Sequence, residues 1–308
     1  MSTKHYDCLT ITLNPAIDRT ITIPNFAAGK VNRVQGEYSN AGGKGVNVAS
    51  SLADAGHGVA VSGFLGRENA AIFERHFTRK RIADHFVRLD GETRVGIKIT
   101  DPVLKETTDI NFPGAEPLPS DLTVLRATLD QMDAEWFVIA GSLPPGLETT
   151  IYRDLTNSIK ARGRKVALDT SGETLTHAIE AQPSLIKPNI HELEGLVGRP
   201  LATRDAVVAA AKELVSRGIE MVVISMGHEG ACFVGAEGIL FATPPEIEVR
   251  STVGAGDAMV AGVVSAKLRG LELAETARLS TAFSVRAIGK LDADVSVEAI
   301  SQKVTIQN

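Results

Sequence analysis

Trp136-Phe137-Val138-Ile139-Ala140, then residues 149–162 with Ile151, Leu155 and Ile159 on one face, then Lys165-Val166-Ala167-Leu168 closing on Asp169: this run decides the fold. The first and third pieces are short, continuous apolar stretches, as strands buried on both faces are, and the middle one places its apolar residues at helical spacing. The same alternation extends both ways. Residues 184–187 read as a strand, 205–217 as a helix closed by Gly218, and 221–225 as a strand; upstream, 8–13 is a strand, 46–55 a helix ending at Gly56, and 59–64 a strand. Such alternation predicts an α/β protein with a doubly wound, mostly parallel sheet.

Two stretches interrupt it. Residues 20–24 with 31–38, and 86–112, contain no helix-period run, and Arg94-Val95-Gly96-Ile97-Lys98-Ile99 alternates polar with apolar as a sheet with one exposed face does. We expect insertions at about 15–40 and 86–113 to form one small β-sheet lid over the mouth of the α/β unit. No repeat, low-complexity tract or Pro/Gly/Ser-rich linker divides the chain, so residues 1–308 are expected to form a single domain.

The composition, 44% hydrophobic and 22% charged, is that of a soluble enzyme with a substantial core. A net charge of −5 argues against a nucleic-acid or anionic-membrane surface. Cys8 and Cys232, far apart in apolar runs, suit buried thiols in a reducing cytosol better than a disulfide. With no signal-peptide core and no apolar run of membrane-spanning length, a cytoplasmic protein is expected.

The chemistry centres on Thr252-Val253-Gly254-Ala255-Gly256-Asp257, followed by an apolar stretch with helical spacing. Gly254 and Gly256 let the backbone turn tightly, and the loop delivers its N–H groups to the positive end of a helix, where an anion such as phosphate binds. Asp257 then either takes a proton from a hydroxyl that attacks phosphorus or simply caps the helix, and this stretch alone leaves both readings open. A dinucleotide fingerprint is excluded because Met259 stands where its third glycine belongs. A Walker A loop is excluded because Gly45 follows Gly43-Lys44 where Ser or Thr is needed.

Asn40-Ala41-Gly42-Gly43-Lys44-Gly45-Val46-Asn47 is a second glycine-rich approach to a helix, where a polar ligand can lie on bare backbone and Asn47 can bond sugar hydroxyls. Asp18, after Asn14-Pro15-Ala16-Ile17, falls beyond the first strand at the carboxyl edge, where open α/β sheets bind ligands, and suits two vicinal hydroxyls. Lys30, Arg33, Lys44 and Arg94 in or beside the lid are candidates to clamp a phosphate on the substrate, or are merely solvated. Asn189 and Glu192 converge at a helix start and suit Mg²⁺ beside nucleotide phosphates, or form the caps of that helix. His191-Glu192 lacks the second histidine of a zinc protease, since Gly195 occupies its place. Ser225, Gly227 and Gly230 follow a strand and either support a nucleotide or make a turn.

Together these segments resemble the PfkB-type carbohydrate kinases of the ribokinase-like group over essentially the whole chain. The resemblance is carried by Gly42-Gly43-Lys44-Gly45-Val46-Asn47, Gly141-Ser142-Leu143-Pro144-Pro145-Gly146, Lys187-Pro188-Asn189 with Glu192, and Ser251-Thr252-Val253-Gly254-Ala255-Gly256-Asp257. It implies ATP as donor, Mg²⁺, Asp257 as catalytic base with Gly254, Ala255 and Gly256 around the transferring phosphoryl group, Ser142 on the acceptor side, and Lys187 and Thr252 with the nucleotide. A monovalent cation is compatible with it. Thr12-Leu13-Asn14-Pro15-Ala16-Ile17-Asp18 is similar to the 1-phosphofructokinase and tagatose-6-phosphate kinase branch, and Thr108-Asp109-Ile110-Asn111-Phe112 leans towards the former. The expected reaction is phosphorylation of fructose 1-phosphate. Its rivals are tagatose-6-phosphate kinase and, in another class, a catalytically silent sugar-phosphate or nucleotide sensor. Exposed edges and an apolar face on the lid suggest a homodimer formed through it.

Overall fold

Leu9, Ile11, Phe137, Ile139, Val166 and Leu168 fill one face of a parallel sheet, while Cys8, Trp136, Val138, Ala140 and Ala167 fill the other. The computed structural model describes residues 4–249, 252–292 and 295–308. In chain order the elements are β1 (His5–Thr12), β2 (Ala16–Thr22), β3 (Gly36–Gly42), α1 (Lys44–Asp54), β4 (Val59–Gly66), α2 (Ala71–Lys80), β5 (Ala83–Leu89), β6 (Val95–Asp101), β7 (Glu106–Asn111), α3 (Pro119–Gln131), β8 (Asp133–Ala140) and α4 (Ile151–Ala161). They continue as β9 (Lys165–Asp169), α5 (Gly172–Ala178), β10 (Leu185–Ile186), α6 (Ile190–Val197), α7 (Arg204–Ser216), β11 (Met221–Ser225), β12 (Ala231–Gly235), β13 (Gly238–Thr243), α8 (Ala255–Leu268), α9 (Leu273–Ile288), α10 (Val297–Ser301) and β14 (Thr305–Gln307).

The large sheet has ten strands in the order β14-β13-β12-β11-β10-β9-β8-β1-β4-β5. From β5 to β11 the neighbours are parallel, and β12, β13 and β14 add an antiparallel margin. Helices cover both faces, as the doubly wound reading requires: α1, α2, α8 and α9 on one side, α3 to α7 on the other. Cys8 and Cys232 are buried free thiols. Among the described residues no helix is long and apolar enough to cross a membrane.

A separate four-stranded sheet runs β3-β2-β6-β7, with β2 antiparallel to β3 and parallel to β6. Its first two strands lie at 16–22 and 36–42, not at 20–24 and 31–38, because the cross-strand pairs run from Ala16–Gly42 to Thr22–Gly36. Asp18 is therefore inside a strand and not after a turn. The second insertion also begins later than residue 86. Residues 83–89 form β5, the edge of the large sheet, in register with β4, and no helix-period run marks them off from the insertion that follows. Phe86 is only 7% exposed and stacks on Phe77 of α2, ring centroids 5.9 Å apart and planes at 10°.

Phe86→Ala should thus cost core stability, about 3–5 kcal/mol for a buried aromatic truncation, with the KM of both substrates unchanged. Denaturant unfolding beside steady-state kinetics measures both, and a raised sugar-phosphate KM with intact stability would return Phe86 to the lid.

Candidate active site

The carboxyl ends of β1, β8, β9, β10 and β11 lie along one edge of the large sheet, and the site residues are delivered there by the segments that follow. Asn14, just past β1, ties these segments together: its Nδ2 donates to Pro113 O, Ser142 Oγ and Leu143 O. Ser142 is thereby held at the mouth of the cleft.

Helix α8 presents its N-terminus to the same edge. Gly254 is its N-cap at φ 83°, a left-handed conformation that suits glycine. The helix then runs through Ala255, Gly256 and Asp257. Ser284 of α9 donates to Ala255 O at 2.8 Å and fixes this turn. Lys187 lies across Gly256 so closely that a Cβ there would stand 3.0 Å from its Nζ. Thr252 is exposed just before the loop, and Ser251 lies outside the described residues.

Asp257 is 8% exposed, and its Oδ2 accepts from Asn47 Nδ2 at 2.8 Å, which brings α1 to α8. Burial, and next the negative charge of Asp169, push its carboxyl up to about 6, against the pull of Asn47, Lys44 and Lys187. The N-cap of α8 is Gly254, which has no side chain to cap with, and the Asp257 carboxylate accepts instead from Asn47.

In the sequence Asp169 is only the end of a strand, but in the fold it lies beside Lys44, Lys187 and Asp257. It is buried and lies 3.1 Å from Lys44 Nζ and 3.6 Å from Lys187 Nζ. Burial pushes its carboxyl up, but the two ammonium groups more than offset this and hold it below the ordinary carboxylate range. A signal was available: a lone carboxylate closing a buried strand at the carboxyl edge of a parallel sheet. Lys44, expected among the clamps on the substrate's phosphate, is instead drawn to Asp169 beside Asp257. The reason is electrostatic: a buried carboxylate requires a cation.

Asn189 and Glu192 form a reciprocal capping box at the start of α6. Asn189 Oδ1 accepts from the Glu192 amide and Glu192 Oε2 from the Asn189 amide, both at 2.8 Å. The capping reading is therefore realised, and Glu192 Oε1 is the carboxylate oxygen outside the capping box. Among the described residues no group of three or more His, Cys, Asp or Glu could hold a metal ion. Ser225 bridges to Asn189, and Gly227 and Gly230 close the short turn between β11 and β12 through Met226 N to Gly230 O at 2.8 Å.

On the acceptor side Asp18 points at Gly42, where a Cβ would come within 2.0 Å of its Oδ2, and burial raises its carboxyl pKa. Gly43 caps α1, placing Asn47 one turn further on. Arg94 is half-buried. Its Nε and Nη2 donate to Asn14 O and its Nη1 to Phe112 O, which leaves two of five guanidinium N–H groups for a ligand. Lys30 and Arg33 stand exposed on the loop between β2 and β3, and their side chains make no hydrogen bond or ion pair among the described residues.

The pattern of the pfkB family carbohydrate kinases matches residues 8–300, and the chain belongs to that family. The 1-phosphofructokinase of Rhodobacter capsulatus is 47% identical over 306 residues, which cover 97% of this chain and 96% of that protein. The 1-phosphofructokinase of Xanthomonas campestris pv. campestris is 45% identical, covering 92% of each. Among solved structures, phosphofructokinase-2 from Escherichia coli in complex with fructose-6-phosphate superposes with a TM-score of 0.91 at 27% identity, covering 97% of this chain and 99% of that one. That enzyme is also known in a complex with potassium and in a tetrameric inhibited form.

If Asp257 must be ionised to act, kcat/KM should fall as pH drops through about 6. Asp257→Asn should lower kcat by roughly 10²–10⁴-fold with ATP binding retained. The same variant should be more stable than the wild type at pH 8. A carboxyl whose folded pKa lies above its unfolded one loses stability as pH rises through that interval, and the amide removes the loss. Near-normal turnover, or a flat acid limb, would leave Asp257 a structural residue.

Proposed function

We propose that the chain phosphorylates fructose 1-phosphate at its 6-hydroxyl with ATP, giving fructose 1,6-bisphosphate and ADP. The observation that carries this is Asp257: a base tuned to about 6 at the N-terminus of α8, hydrogen-bonded to Asn47 and flanked by Lys44 and Lys187. Its carboxylate takes the 6-hydroxyl proton as that oxygen forms a bond to the γ-phosphorus. The bond from phosphorus to the β,γ-bridging oxygen breaks, and its electron pair leaves with ADP. The amides of Ala255, Gly256 and Asp257, with the helix dipole, receive the charge on the transferring oxygens.

Asp18, Gly42, Gly43, Asn47 and Ser142 orient the sugar. Arg94, through its two remaining donors, holds the 1-phosphate, with Lys30 and Arg33 approaching from the exposed loop. Glu192, through Oε1, would lie towards the Mg²⁺ of the nucleotide complex, which would supply charge neutralisation at the phosphates. Ser225, Gly227, Gly230 and Thr252 border the nucleotide, and Lys187 meets its phosphates. The four-stranded sheet acts as lid to one kinase domain spanning residues 1–308, excluding the water that would otherwise accept the phosphoryl group. Exposed Val31, Val34, Tyr38, Ile110 and Phe112 on and beside that sheet support a homodimer through it. A monomeric mass by light scattering at assay concentration would remove the dimer. Buried reduced thiols support a cytoplasmic setting.

An ADP-release assay over fructose 1-phosphate, tagatose 6-phosphate, fructose 6-phosphate, ribose and adenosine tests the reading, with fructose 1-phosphate expected to have the largest kcat/KM. A preference for tagatose 6-phosphate would reverse the sugar in the cleft, and turnover of none would leave a sensor.

Arg94→Ala should weaken sugar-phosphate binding by about 1.5–3 kcal/mol, as loss of a charged hydrogen bond does, seen as a raised KM with the ATP KM little changed. Impaired ATP binding instead would move Arg94 out of the acceptor site.

A further inference from the structure

Asp169 closes β9 at the carboxyl edge with 1% of its surface exposed. Its Oδ1 serves both Lys44 and Lys187, while Oδ2 has no hydrogen-bond partner. The two lysines come from opposite walls. Lys44 opens α1 directly below the small sheet, two residues after β3 ends, and Lys187 follows β10 in the large sheet. Their ammonium groups would repel each other without an anion between them, and a buried carboxylate would not stay ionised without cations. Lys187 lies across Gly256 and is itself buried, whereas 38% of the Lys44 side chain is open to a ligand.

We propose that Asp169 is a positioning residue for phosphoryl transfer: it holds the ammonium groups of Lys44 and Lys187 together at the mouth of the Gly254–Asp257 loop, so that the transferring group meets two fixed cations, one from each wall. Asp169 acts only through the lysines and need not touch substrate. Pre-set cations require no reorganisation when charge develops on the phosphoryl oxygens, and that is where electrostatic catalysis gains most. The arrangement also links the lid side of the cleft to the large sheet at the reacting centre. The charged groups facing Asp257 are Asp169, Lys44 and Lys187, with Asn47 as a neutral donor and Glu192 acting on Lys44 from α6. The inference rests on the kinase reading of the same site.

The test is steady-state kinetics across pH for Asp169→Asn, Lys44→Met and the double variant, with fructose 1-phosphate and Mg-ATP. Asp169→Asn should lose kcat on the order of 10²-fold, the scale of small misplacements at a reacting centre, with the fructose 1-phosphate KM little changed. Its acid limb should move to lower pH, because a negative neighbour of Asp257 is gone. Lys44→Met should move the limb to higher pH, because a positive one is gone. A purely structural role for Asp169 would lower stability and leave the kcat of the folded variant near wild type. The double variant should lose less kcat than the product of the two single losses, since Asp169 acts in part through Lys44.

An Asp169→Asn enzyme with wild-type kcat and an unmoved limb overturns the proposal, as do losses that multiply in the double variant. If Asp169→Asn does not fold, Asp169→Glu is read instead. It keeps the charge but displaces it by one methylene, so kcat should fall while the limb stays, and wild-type turnover in it overturns the proposal. Wild-type turnover of fructose 1-phosphate is the control: its absence counts against the kinase reading, not against Asp169.

Discussion

A helix end binds a transferring phosphoryl group usefully only if it cannot move, and the immobility of α8 is the constraint on which this site depends. Residues from Asp257 to Ala266 are buried without interruption, enclosed by α1, α9 and the sheet. The bond from Ser284 to Ala255 O, the reach of Asn47 to Asp257 and Lys187 lying over Gly256 then fix the first turn from three directions. Such packing accounts for the uniform apolarity of the segment, since a helix with one wet face would show an amphipathic stripe. Burial is also the largest influence raising the Asp257 carboxyl.

Much of this was legible in the residues. The strands at β1, β4, β8, β9 and β11 and the helices α1, α4 and α7 appear within a few residues of their expected places, because buried parallel strands and one-sided helices carry the strongest periodic signals. The family resemblance, resting on four separated motifs, pointed to the pfkB family that the chain proves to belong to. What escaped had weak or misleading local patterns. β5 carries no helix-period run to separate it from the lid insertion, and as the edge strand of the large sheet it is only partly buried.

The site was legible unevenly for the same reason. Glycine loops advertise themselves, since few other residues fit them. Asp169 did not, because one Asp after an apolar strand is indistinguishable from a turn residue until Lys44, 125 positions away, is seen beside it. Asn189 and Glu192 carried two readings, and the reciprocal bonds between side chains and amides show that the capping role is satisfied first. Lys44 and Arg94 looked alike on paper. In three dimensions one is committed to a buried carboxylate, and the other to the carbonyls that join β6 to the loop after β1.

The small sheet's mixed pairing has a consequence for the order in which the molecule can be assembled. Its central strand, β2, leaves β1 almost at once, yet its parallel partner β6 arrives only after α1, β4, α2 and β5 have been threaded through the large unit. Closing that span as free chain would cost entropy that grows with its length. Once β1, β4 and β5 lie side by side, their carboxyl ends bring β2 and β6 within a short connection of each other, and most of that cost is already met. Long-range pairing of this kind forms late and slowly. The small sheet is thus built on a scaffold that must exist first.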